Sequence, residues 1–257
     1  MTPELERAVA NAKKVFARYS LNGRIIVCNC NVCVAPEVER ELIRTPLQQV
    51  SSRLLAEYTH SAHGWDGKIE DDFRYFLPRY FELIADGDVP SNTGIETCLG
   101  RMLAADYRKT WPQKEADAVD AYFVALFAAE LARPCAGDDV FGLYDAGEGA
   151  EAILCCFAHA GGDVRLLLDV WEKTAGRDTD LKIAGTLVAA NWMKRRLKSG
   201  WWLTLNHEPV SRAMDTVIAW LLRTETWERL EAACLNETEE TAAELFSQAE
   251  GLIARNA

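Results

Sequence analysis

Proline and glycine are scarce in this chain, 8 and 16 of 257 residues, and there is no low-complexity tract. Long disordered linkers are therefore not expected. No apolar run approaches the roughly 20 residues that span a bilayer; the longest charge-free stretch, Ile25 to Pro36, has 12. The opening MTPELERAVANAKK is made of acids and helix formers, not a basic region followed by an apolar one. A cytoplasmic location with no membrane partner is the resulting expectation. A basic surplus is also missing: 28 Lys and Arg face 39 Asp and Glu, for a net charge of −11. Nucleic-acid binding rests on phosphate neutralisation by Lys and Arg, so nucleic acid is not an expected partner. Catalytic signatures are absent too, with no G-x-S-x-G, H-E-x-x-H, P-loop or dinucleotide fingerprint.

Helical periodicity is what the chain has in quantity. It predicts helices over residues 3–19, after Pro36, from Ser51 or Ser52 to about 62, and through IEDDFRYFLPRYFELIADG, where Pro78 is expected to kink or restart the helix. Further helices are expected at about 93–106, 112–133, 148–160, 163–175, 178–198, 208–223, 224–234 and 238–255. Asp163, Asp178 or Thr179, and Asn236 are the expected caps. Almost nothing alternates with period two. The fold class expected is all-α, an irregular antiparallel helical bundle or stacked helical hairpins, with one short irregular cysteine-containing loop near the N-terminus. The expected organisation is one helical domain over residues 1–257, with two possible lobes: a cysteine-cluster lobe (1–134) and an acidic helical lobe (148–257). Residues 1–134 carry 16 basic and 19 acidic side chains, and residues 135–257 carry 12 and 20.

The loop is CNCNVC. Cys28, Cys30 and Cys33 lie at C-x-C-x-x-C spacing, and Asn29 and Asn31 suit tight turns. A C-x-x-C knuckle offers two sulfurs to one ion, Cys28 adds a third, and a tetrahedral zinc takes four ligands. A second half-site is missing. His60 and His63, spaced i, i+3 near a helix end, are the best distant ligands. Two other readings stay open. The cysteines can be small buried hydrophobes beside Val32 and Val34, or they can serve a redox or sensing role.

A second constellation, GWDGKIEDDFRYFLPR, places Asp66, Glu70, Asp71 and Asp72 close together, followed by Arg74. Closely spaced carboxylates can hold a hard cation or share acid–base work. Acids in a first helical turn also simply favour its positive end, and Asp71 with Arg74 is an ordinary i, i+3 pair. With the aromatic pair Trp201–Trp202, these residues form the expected partner-binding surface.

The cysteine cluster, the Thr45–Pro46–Leu47 segment and the Asp71–Arg79 block DDFRYFLPR together resemble a family of bacterial proteins of similar size. The resemblance covers roughly residues 15–130. That family brings no known activity, so no residue role transfers, and the additional Cys28 bears on the ligand count.

The expected function is a non-catalytic binding protein. It suits an immunity protein whose acidic surface meets a basic toxin domain. The alternatives are a small protein with a structural zinc and an uncharacterised metal-dependent enzyme.

Overall fold

The computed structural model describes residues 1–28, 30, 33–61, 71–99, 101–102, 105–135, 146–192 and 208–255. Among these the chain is all-helical, with no strand. None of the described helices is long and apolar enough to cross a membrane. The chain divides into two compact units, Met1–Leu126 with His159–Gly162, and Phe127–Ala158 with Asp163–Ala257.

The first unit begins with α1 (Pro3–Phe16), which Thr2 caps through the Leu5 amide at 3.3 Å and which carries Pro3 in its first turn. Leu5, Val9, Ala12 and Phe16 make its buried stripe. α2 (Pro36–Arg44), a 3-10 turn at Leu47–Gln49, and α3 (Ser52–His60), capped by Ser51, follow. α4 (Asp71–Ala85) packs on α1 and buries Phe73, Phe76, Leu77, Tyr80, Phe81 and Ile84. Each such side chain contributes about 1.5–3 kcal/mol when fully buried. Its Phe81 stacks on Tyr122 of α7 (Gln113–Leu131) at 3.7 Å between centroids. α4 runs unbroken through the buried Pro78, although that ring removes the bond to the Arg74 carbonyl.

Among the described residues the helix expected over 93–106 is not continuous: α5 (Ile95–Cys98) is followed by a 3-10 pair at 101–102, residues 100, 103 and 104 lie outside the described residues, and α6 (Tyr107–Thr110) comes next. Between them the Met102 and Ala105 amides bond back three residues, at 2.8 and 2.9 Å, so the chain advances by tight turns. Asp106 then takes a left-handed φ of 40°.

In the second unit, α8 (Glu148–His159), α9 (Arg165–Lys173), α10 (Arg177–Trp192), α11 (Glu208–Leu221), α12 (Thr224–Asn236) and α13 (Glu240–Ala254) match the expected helices closely, with residues 193–198 of the helix expected over 178–198 lying outside the described residues. α10 is buried without interruption from Leu181 to Val188 and packs on α13, which also packs on α12. Lys182, inside that run, donates to the carbonyls of Leu131 and Arg133, the free end of α7. Arg229 likewise donates to the Trp171 and Thr174 carbonyls at the C-terminal end of α9 while holding Asp180 at 2.6 Å. Two expected caps are replaced. Asp178 accepts from the Cys135 amide, and Glu239, not Asn236, caps α13 through the Thr241 and Ala242 amides. Gly147 and Gly149 of the expected inter-lobe stretch are packing residues, since a Cβ on Gly147 would lie 2.6 Å from the Thr186 nitrogen and one on Gly149 2.3 Å from Glu130 Oε1. Residues 136–145 of that stretch lie outside the described residues.

Candidate metal centre

The segment from Arg24 to Cys28 has no regular secondary structure, and side chains satisfy the backbone groups of Ile26 and the Cys28 amide. The Ile26 amide donates to Asp72 Oδ2 at 2.6 Å, and the Ile26 carbonyl accepts from Arg101 Nη1 at 3.0 Å. Two residues on, the Cys28 amide donates to Ser61 Oγ at 2.9 Å. All three anchors are interior: Asp72 is 7% exposed, Arg101 8% and Ser61 2%. Tyr58 ties the two charged anchors together. Its hydroxyl donates to Asp72 Oδ2 at 3.0 Å, its carbonyl accepts from Arg101 Nη2 at 2.8 Å, and its ring lies 3.5 Å beneath the guanidinium. Burial, with Asp72 beside it, pushes the Tyr58 phenol well up despite the opposing Arg101, so it acts as a donor at every ordinary pH.

On this frame the three cysteines converge. The Sγ atoms of Cys28, Cys30 and Cys33 all lie within 4.8 Å of one another, and Cys30 Sγ donates to Cys33 Sγ at 3.2 Å. The Cys30 amide points at Cys28 Sγ at 3.4 Å. That amide favours the Cys28 thiolate, but the neighbouring thiols and desolvation outweigh it and hold the Cys28 thiol above its ordinary range. Three sulfurs around one zinc, each at about 2.3 Å, would be about 3.8 Å apart. The Cys30–Cys33 separation of 3.2 Å is below that value and no separation exceeds 4.8 Å, so the cluster could hold a metal ion.

His60, expected as a fourth ligand, stands at the exposed end of α3, and its ring is not in the converging group. It precedes the anchor Ser61. His63, Asp66, Glu70, Trp201 and Trp202 lie outside the described residues.

Asp71 is exposed, as a partner-facing acid should be. Asp72 and Arg74 are not surface residues of that kind. Asp72 also accepts from the Phe73 amide at 2.9 Å, so its oxygens are committed to the interior. Arg74 donates to Tyr19 Oη at 3.0 Å and lies over the Trp111 ring at 4.8 Å, beside the buried Glu115 that Arg18 and Tyr19 also bond. Helical phase explains the correction. Asp72 and Arg74 sit on either side of the buried Phe73, whereas Asp71 begins the solvent face.

Sequence reasoning missed Ser61, Tyr58 and Arg101. Arg101 could have been suspected only as a lone cation in an otherwise uncharged stretch, since Gly94 to Ala105 contains just Glu96 besides. The Thr45–Leu47 segment and the Asp71–Arg79 block meet at a groove of about 350 Å³ with α1. Within it Glu82 accepts from both Lys13 and Arg79. No family model, curated protein or solved structure matches this chain.

Proposed function

We propose that the protein is a non-catalytic binding protein whose N-terminal unit carries a thiolate metal site, with Cys28, Cys30 and Cys33 holding zinc. The observation that carries this reading is the convergence of three sulfurs within 4.8 Å on a loop fixed by buried side chains. Soft thiolates favour zinc over calcium or magnesium. Three thiolates also give the ion much negative charge, which weakens it as a Lewis acid and supports a role in organising the loop over hydrolysis. His63 remains a proposed fourth ligand. The test is metal analysis of the untagged chain purified under reducing conditions. About one zinc per chain is expected, lost in a Cys28→Ser, Cys30→Ser, Cys33→Ser triple variant. Substoichiometric zinc in freshly reduced wild type, after incubation with the ion, would overturn the reading.

The charge of −11 favours a basic protein as partner, and an immunity role toward a basic toxin domain in the cytoplasm fits that preference. Asp71, Asp66, Glu70 and the Trp201–Trp202 pair are the proposed contact residues. Co-purification from the native host should recover a specific basic protein that salt releases. Recovery of a small molecule instead would favour an enzyme.

A further inference from the structure

We infer that Cys30 and Cys33 form a redox pair within the metal site, so that oxidation by a hydroperoxide joins them as a disulfide and releases the ion. This inference rests on the metal reading above and adds its regulation. The three sulfurs are not equivalent. Cys28 is fixed through its own amide to Ser61, and its sulfur receives the Cys30 amide at 3.4 Å. Cys30 is the exposed member, and its sulfur already touches that of Cys33 at 3.2 Å. A disulfide needs about 2.05 Å, so the gap closes by little more than 1 Å. The C-x-x-C ring also closes with less strain than the tighter C-x-C ring that Cys28 and Cys30 would form.

The chemistry balances with hydrogen peroxide as oxidant. The Cys30 thiolate attacks one peroxide oxygen, the O–O bond breaks, and hydroxide leaves and takes a proton from solvent. The Cys33 sulfur then attacks the Cys30 sulfenic acid, an S–S bond replaces the S–O bond, and a second hydroxide leaves. Two electrons pass from the two sulfurs to the peroxide, which ends as two waters. Two thiolates are thereby withdrawn from the ion together. Cys28, even together with His63, leaves too few ligands to hold it, so the ion departs into solvent. Reduction by a dithiol returns both thiolates and restores the site.

The experiment uses the full chain, reduced, loaded with zinc and freed of excess metal, then titrated with hydrogen peroxide. Released zinc is read with a chromogenic chelator and the disulfide is mapped by mass spectrometry. Zinc occupancy should fall by at least about tenfold as a Cys30–Cys33 disulfide accumulates, and dithiothreitol with added zinc should restore it. Cys28→Ser should still form that disulfide. Cys33→Ser, which lacks one of the metal ligands, should start with lower zinc occupancy, form no Cys30–Cys33 disulfide, and under excess peroxide carry Cys30 over-oxidised beyond recovery by dithiothreitol. A reduced chain that takes up no zinc overturns the metal reading and the release with it. A chain that binds zinc but keeps it through oxidation, or whose disulfide engages Cys28, overturns the redox pair and leaves the metal site standing.

Discussion

Replacing Asp72 by Asn tests the buried frame beneath the cysteine loop. The carboxylate accepts three bonds: from the Ile26 amide at 2.6 Å, the Tyr58 hydroxyl at 3.0 Å and the Phe73 amide at 2.9 Å. Asn offers one acceptor oxygen in nearly the same shape. If that oxygen keeps the position shared by Ile26 and Tyr58, the amide group faces the Phe73 N–H, donor against donor. One bond to a charged acceptor is lost, about 1.5–3 kcal/mol, and the two that remain weaken as they become neutral. Together these losses amount to about 2–4 kcal/mol for the first unit. The assay is urea unfolding followed by far-UV circular dichroism, with hydrogen exchange at the Ile26 and Cys28 amides as local readout. Exchange at both should accelerate. A single-variant loss below about 1 kcal/mol with unchanged exchange at Ile26 would refute the reasoning.

Other expectations follow from particular contacts. Gly147→Ala should cost about 1–3 kcal/mol in thermal or urea unfolding, since its Cβ would press on the Thr186 backbone. Gly251→Ala, in α13 with only the tip of Arg255 near at 4.0 Å, should instead stabilise by about 0.5–1 kcal/mol. Lys182→Met should destabilise the second unit by about 1–3 kcal/mol, because the Leu131 and Arg133 carbonyls lose their buried donor. Burial raises the Glu82 carboxyl, but Lys13 and Arg79 outweigh it and hold the group below its ordinary value. Its stabilisation is complete above about pH 4.3 and lost as pH falls through the lower folded value. Glu82→Gln should therefore be less stable than wild type at pH 6, with the difference shrinking toward pH 3 in parallel denaturation curves.

The second-unit helices were legible because each is a run of 3.6-period sequence bounded by short polar connections, and nothing distant needs to be known to draw them. The 93–106 stretch misled for the opposite reason. Its apolar residues are spaced like a helix, but the turns there carry Arg101 to Ile26 and Tyr58, partners 75 and 43 positions away. The cysteine trio was visible from spacing alone, since three sulfurs within six residues cannot be far apart. Its anchors were not, because Ser61 and Asp72 lie 33 and 46 positions from the amides they hold. Asp72 was misplaced at the surface because an acid in a first helical turn has a sufficient local explanation. Only the tertiary position of the Ile26 amide reveals the second one.

The distribution of those anchors bears on what an ion would do here. Small zinc domains unfold without metal because the ion is the main thing holding their chain in place. In this loop the Ile26 amide and carbonyl and the Cys28 amide already have partners, and those partners are interior side chains of a unit with its own aromatic core. Order as far as Cys28 therefore precedes metal. On the proposed reading, zinc would add stability by mass action on an existing conformation and would not create the fold. Loaded and stripped forms then share the scaffold beneath Cys28. That condition serves a reversible thiol switch, because the stripped chain needs only reduction and fresh zinc, and no refolding of the unit, to return to the loaded form.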